Sequence, residues 1–289
     1  MKIIVITGPT GVGKTKLSVE LAKLVNGEII NADSMQVYKG LDIGTAKIKE
    51  SEKEGIPHHL FDICDIDRNY TIYDYQKDAR RVIGEIESRN RTPILVGGSG
   101  LYIKAALYDY EFIEESFHSE FDDLTNEEIL NEIKKDHKTD IHVNNRKRLI
   151  RELNKIKNGT KNTNKKNEKI YDLNLIGLTT NRDNLYHIID NRVDKMVSEG
   201  LLSEVKELYD NNIRTKAIMT GIGYKELYKY FDGEISLDES IDLIKKNSRN
   251  FAKRQYTFYN HQMDVKWFDV NFKDFNKTVN DVYEFVKNN

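Results

Sequence analysis

The sequence predicts an α/β fold: a P-loop parallel-sheet core with helices on both faces, interrupted by a helical insertion domain. Three observations predict it. Short β-branched runs alternate with helical stretches through the first third of the chain. The first run leads directly into GPTGVGKT at residues 8–15, which fits the phosphate-loop pattern G-x-x-x-x-G-K-T. Strand signals then stop near Tyr108 and return only near Asp172.

Each element follows from its residues. Residues 2–7 are a β-branched strand that ends in the loop. Residues 14–24 carry Leu17, Leu21 and Leu24 at helical spacing. Residues 28–31 form a second short strand, with Asp33 just past its end. Residues 70–88 predict a helix with Tyr75, Ala79, Val82 and Ile86 on one stripe. Residues 92–96 are a buried strand closed by Gly97-Gly98-Ser99-Gly100. From Tyr108 to Lys155 the sequence is charged and helical. Residues 157–169, KNGTKNTNKKNEK, are Asn/Lys-rich and predict a loop. Strand character returns at 172–178. Helices follow over 185–198, 203–211, 224–230 and 237–259, then a last strand at 265–268 and a closing helix at 276–287. The core therefore spans 1–111 and 170–289, and the insertion 112–169.

The chain has 289 residues, 38% of them apolar and 32% charged, enough for a sizeable core under a well-solvated surface. No apolar run is long enough for a signal peptide or a membrane span. The single cysteine, Cys64, excludes a disulfide framework and a cysteine-rich zinc site. The seven histidines show no metal-ligand spacing, and His58-His59 read as packing or a polar loop. These features predict a cytoplasmic protein, monomeric and without a membrane partner. The net charge of −2 conceals blocks. Residues 109–132 hold ten acidic groups and no Lys or Arg, and 146–169 hold ten basic groups against Glu152 and Glu168. Residues 243–262 hold five basic groups and no acid. Such asymmetry fits a polyanion partner, or equally a set of solvated helix faces.

Chemistry concentrates in Gly8, Pro9, Thr10, Gly11, Val12, Gly13, Lys14 and Thr15. Glycines let backbone N–H groups turn onto an anion, and the helix N-terminus adds positive potential. Lys14 reaches a terminal phosphate, and the Thr15 hydroxyl can ligate Mg²⁺. A nucleotide-hydrolysing P-loop protein usually has an Asp at the end of a hydrophobic strand to hold Mg²⁺. Here that strand ends PILVGGSG, without an acid. The nearest strand-end acid is Asp33, 18 residues after Thr15 and on the same edge of a strand–helix–strand unit. Asp33 suits a Mg²⁺ ligand, a general base or a helix N-cap. A base there serves a kinase-like attack on ATP, or an amine attack on carbon with pyrophosphate leaving into the loop. These residues alone leave the choice open.

The wider sequence narrows it. GPTGVGKTKLSVELA, NADSMQVYKGLDIGTAK, GIPHHLFDI, PILVGGSGLYIKA, NNRKRLIREL, RVDKMVSEGLLSEVKEL, GIGYKEL and FAKRQYTFYNHQMDVKWFD occur in this order. Together they resemble the tRNA dimethylallyltransferases, also called isopentenyl-diphosphate:tRNA isopentenyltransferases, over about residues 2 to 270. The resemblance implies transfer of an allyl group from dimethylallyl diphosphate to N6 of adenosine 37, beside the anticodon, with Mg²⁺. It implies Asp33 as the base, Ser99 near the reacting centre, Arg192 as a catalytic residue near the diphosphate, and residues 8–15 on the diphosphate. It implies tRNA contacts from Asp33, Ser34, Met35 and Gln36, from Lys147, Arg148, Leu149, Ile150 and Arg151, and from Lys253, Arg254 and Gln255. Relatives carry an arginine early in the insertion, where SFHSEFDD has none, and arginines where Thr220 and Asn260 stand. Eukaryotic relatives add a zinc finger that one cysteine cannot build, so the resemblance is to the bacterial type. Two other readings are an adenylate isopentenyltransferase and an RNA-binding P-loop switch. The basic insertion disfavours the first. The absence of N/T-K-x-D from a suitable strand end disfavours a GTP-specific form of the second.

Overall fold

The computed structural model describes residues 2–110, 121, 123–158 and 168–289. Its strands are β1 (Ile3–Thr7), β2 (Gly27–Asn31), β3 (His58–His59), β4 (Thr92–Val96), β5 (Leu173–Thr179) and β6 (Lys266–Asp269). They form one parallel sheet in the order β3-β2-β4-β1-β5-β6. The helices are α1 (Lys14–Val25), α2 (Ile72–Ser88), α3 (Gly100–Leu107), α4 (Asn126–Asp136), α5 (Arg146–Lys157) and α6 (Arg182–Ser198). Then come α7 (Leu201–Asp210), α8 (Lys216–Thr220), α9 (Tyr224–Phe231), α10 (Leu237–Gln262) and α11 (Phe275–Asn288).

β1 reads IIVIT because it lies inside the sheet, paired with β4 and β5, and all five residues are buried. Alternate side chains serve opposite faces. Ile3 and Val5 join a core with Tyr75, Ala79 and Val82 of α2 and Ile103 of α3. Ile4 and Ile6 join another with Leu17 and Leu21 of α1 and Val279 and Val282 of α11. Helices thus cover both faces, as an all-parallel sheet requires.

Some elements differ from the sequence expectation, each for a local reason. α2 starts at Ile72, not Tyr70, because Thr71 and Asp74 cap each other's backbone N–H groups. Tyr70 instead donates its hydroxyl to Asp78 at 2.8 Å. α3 carries no amphipathic signal because GLYIKAAL is apolar on nearly every side and mostly buried. His58-His59 is an edge strand, with His59 against the buried Glu28 carboxylate at 2.7 Å.

The chain divides into two compact units, one of residues 1–108 and 169–289 and the other of 109–168. The sequence-based boundaries, 112 and 169, lie three residues and one residue later. Tyr108 and Lys169 form an antiparallel bridge, so the core chain leaves and re-enters at neighbouring points. Inside the smaller unit, Ile129 and Ile133 of α4 pack with Leu149 and Leu153 of α5 and with Phe121. Most of the expected loop at 157–169, and most of SFHSEFDD, lie outside the described residues. Among the described residues no helix is long and apolar enough to cross a membrane.

Candidate active site

The segment between β1 and α1 turns at Gly8, whose φ is +132°, and a Cβ there would run into the Leu178 carbonyl of β5. Gly13, at φ 94°, caps α1 without a side-chain hydrogen bond, and no acid occupies the first turn. The first N–H groups of α1 and their dipole are therefore left facing outward for an anion. Lys14 folds back over the loop, donating from Nζ to the Gly8 carbonyl at 3.0 Å and the Pro9 carbonyl at 2.7 Å.

Asp33 follows β2 on the same sheet edge. The buried Asn31 side chain holds its backbone, accepting the Asp33 N–H at 2.9 Å and donating to the Leu60 carbonyl at 3.0 Å. Asp33 Oδ1 accepts the Met35 N–H at 2.9 Å, and the chain there turns without starting a helix. The N-cap reading is therefore excluded. Ser99, at the head of α3, accepts the Ser34 N–H on Oγ at 3.0 Å and ties the end of β4 to this turn.

A third wall comes from residues 42–46. Glu204 of α7 reaches across to hold it. Its carboxylate accepts the N–H groups of Asp42 at 3.0 Å, Ile43 at 2.7 Å and Gly44 at 3.0 Å, and the Tyr224 hydroxyl at 2.7 Å. Burial and the Glu204 carboxylate hold the Tyr224 phenol protonated, well above its usual range. So anchored, the segment presents the Thr45 carbonyl to Gln36 Nε2 at 3.0 Å and to Arg192 at 3.3 Å.

These walls enclose a cavity of about 1030 Å³, polar near Thr15, Asp33 and Arg192 and apolar along Ile29, Val96 and Ile189. Its charge is unbalanced. Burial and, after it, the nearby Arg192 lower the Lys14 pKa to about 7, with Asp33 opposing. Burial lowers the Arg192 pKa as well, again against the pull of Asp33. Two enclosed cations thus share one carboxylate, which favours an anion beside them.

Most residues singled out in the sequence meet here. Thr10, Gly11, Gly13, Lys14 and Thr15 line the cavity with Asp33, Ser34, Met35, Gln36, Ser99, Arg192, Arg254 and Gln255. Gly8, Pro9 and Val12 are buried in the loop and shape it from behind. Gln255 is only 5% exposed and donates to the Gly98 carbonyl at 3.0 Å, so it faces the cavity and not an outer surface. In the smaller unit Lys147, Arg148 and Arg151 are exposed, whereas Leu149 is buried in that unit's core. Leu149 is therefore corrected from a tRNA contact to a packing residue: helical spacing turns it toward Ile129 and Ile133. Asn31, Glu204 and Tyr224 lie in stretches that carry the resemblance, but their own positions in those stretches do not mark them as site residues. Glu204 sits in GLLSEVKEL, an ordinary amphipathic helix start, and its partners lie about 160 residues away.

A family model described as IPP transferase matches residues 36–262. The chain is 44% identical over 300 residues to a tRNA dimethylallyltransferase of Anoxybacillus flavithermus, covering 99% of this chain and 96% of the relative. It is 45% identical to that of Bacillus subtilis, with 93% and 90% covered. Among solved structures, a full-length tRNA isopentenylpyrophosphate transferase from Bacillus halodurans superposes with a TM-score of 0.81 at 42% identity, covering 99% and 96%. A eukaryotic dimethylallyltransferase acting on tRNA gives a TM-score of 0.79 at 30% identity, covering 93% and 73%.

Proposed function

The chain belongs to the IPP transferase family, and from that membership we propose that it transfers a dimethylallyl group from dimethylallyl diphosphate to N6 of adenosine 37 in tRNA, releasing pyrophosphate. The observation that carries the reaction is the pairing, in one cavity, of an anion cradle with a carboxylate opposite it. Lys14, Arg192 and the open end of α1 favour the diphosphate. Asp33 stands beside Ser34 and Ser99, with its backbone and one carboxylate oxygen fixed by local hydrogen bonds.

The exocyclic amine of adenine is a weak nucleophile because its lone pair is delocalised into the ring. In the proposed step the N6–C1 bond forms, the C1–O bond breaks and the electron pair leaves with the diphosphate. The N6 proton passes to the Asp33 carboxylate. Lys14, Arg192 and the loop N–H groups neutralise the departing charge. Thr15 is exposed at the cavity edge, and among the described residues no cluster of His, Cys, Asp or Glu could hold a metal alone. That donor set fits Mg²⁺ held by the Thr15 hydroxyl and diphosphate oxygens, where it would supply further charge neutralisation. The target base reaches the cavity by leaving its stack.

Product analysis tests this reading. With purified protein, unmodified tRNA and Mg²⁺, pyrophosphate is expected one-for-one with modified adenosine when dimethylallyl diphosphate is the only phosphorylated small molecule. A requirement for ATP, or ADP released in step with modification, would return the chain to the kinase or ATPase class.

The exposed side of α5 adds a tRNA contact to the proposal. Asn145 caps the helix, Leu149 and Leu153 fix its inner side, and Lys147, Arg148 and Arg151 remain in solvent. Arg148→Ala and Arg151→Ala are each expected to lower the slope of log affinity for tRNA against log salt by about 0.7–0.9, the change for one phosphate no longer neutralised. Affinity for dimethylallyl diphosphate should barely change. Filter binding across a salt series decides, and unchanged slopes in both variants remove α5 from the interface.

A further inference from the structure

Outside the cavity, α6 and α10 place two residue pairs one helical turn apart against each other: Arg182 and Tyr186 on α6, Arg249 and Lys253 on α10. The Arg182 guanidinium lies 5.2 Å from the centre of the Tyr186 ring, that of Arg249 5.8 Å and the Lys253 ammonium 5.9 Å. Arg182 also donates from Nε to the Tyr186 hydroxyl at 3.1 Å. One phenol thus gathers three cations. Among the described residues one carboxylate, that of Asp190, forms an ion pair with this group, and it binds Arg249.

Tyr186 belongs to neither core of its unit and is half-exposed. Packing therefore does not account for the convergence, and with Asp190 as the one ion-paired carboxylate the group keeps an excess of positive charge that favours a further anion. Nearer the cavity, α10 repeats the arrangement: Arg254 lies over the Phe251 ring at 5.6 Å, and both residues line the cavity. The same turns of α10 therefore carry a cation–aromatic unit on each of two faces, one lining the cavity and one against α6. Aromatic faces alternating with cations fit an unpaired nucleotide strand, since the rings stack on bases and the cations follow phosphates.

We propose that Tyr186, with Arg182, Arg249 and Lys253, is a second RNA-binding platform, which holds the unpaired nucleotides flanking the target base while that base occupies the cavity. The proposal rests on the tRNA reading above and extends it to a surface on α6. Binding of an unmodified anticodon stem-loop RNA, measured across a salt series on the full chain, tests it. Arg182→Ala is expected to weaken binding about fivefold and to lower the salt slope by about 0.7–0.9. Tyr186→Leu keeps bulk but removes the ring. It is expected to weaken binding by about fivefold or more with the slope unchanged. Pyrophosphate affinity should remain at the wild-type value in both. Wild-type RNA affinity and slope in both variants overturn the platform and leave the catalytic reading standing. A loss of pyrophosphate affinity reassigns these residues to the donor site and also overturns it. If the unaltered chain binds no tRNA, the reading beneath it fails first.

Discussion

Asp33→Ala is expected to slow single-turnover transfer by about 10²–10⁴-fold, the usual contribution of one positioned general base. Donor and tRNA affinities should change far less. The expectation rests on how Asp33 is held. Asn31 fixes its backbone, Met35 N–H occupies only one carboxylate oxygen, and no helix start uses it as a cap. Asp33→Asn keeps the shape and the hydrogen bond from Met35 but cannot take a proton, so it should fall as far as the alanine variant. Retention of more than about a third of the wild-type rate by either variant would show that another group accepts the proton. Equal losses in rate and RNA affinity would make Asp33 a binding residue only.

Lys14→Ala is expected to lower turnover by about 10²–10³-fold, the scale seen when a donor to developing negative charge is removed. Its signature is a proton. Unliganded Lys14 has a pKa of about 7, from burial and then from Arg192. A diphosphate beside it favours the ammonium and raises that value. At pH 8, pyrophosphate binding should therefore take up protons, and affinity should fall as pH rises above about 7. Calorimetry in buffers of different ionisation enthalpy measures the uptake. Lys14→Met should lose the lysine-linked part, and identical uptake in both proteins would separate Lys14 from the phosphates. The same shift bears on stability. The lysine pKa is lower folded than unfolded, so the unfolded chain binds more protons between about 7 and 10.5. This contribution therefore makes the fold more stable as pH rises through that window and less stable below it.

Elements with a strong period are legible in the sequence. β1, α1, β4 and α10 announce themselves by β-branched runs or helical stripes, and the structure keeps them to within a few residues. α3 is not legible, because a helix buried on nearly all sides has no polar face to set a period. At the site, the residues of GPTGVGKT and the DSMQ segment can be read, since their spacing is local. Glu204 cannot. A carboxylate that binds three consecutive N–H groups from a distant turn leaves no mark in either stretch of sequence. The burial of Leu149 is readable in principle, because Leu149 and Leu153 are four residues apart on one helix face. Taking residues 147–151 as one block conceals that alternation.

The strand order has a consequence for how the chain is made. By Val96 a ribosome has delivered β1 to β4, enough for the partial sheet β3-β2-β4-β1. In that partial sheet β1 is an edge, and its sequence is IIVIT, with no charge or proline to blunt it. Its missing partner, β5, starts at Leu173, after the whole insertion has been synthesised. At about 5–20 residues per second, the interval lasts roughly 4–15 seconds. For that time the nascent core carries an unpaired, uncharged and β-branched strand edge, the kind of element prone to pair with a neighbouring copy. The interval in which this chain is exposed to aggregation therefore scales with the length of its insertion. Shortening the insertion should raise soluble yield even where it weakens RNA binding.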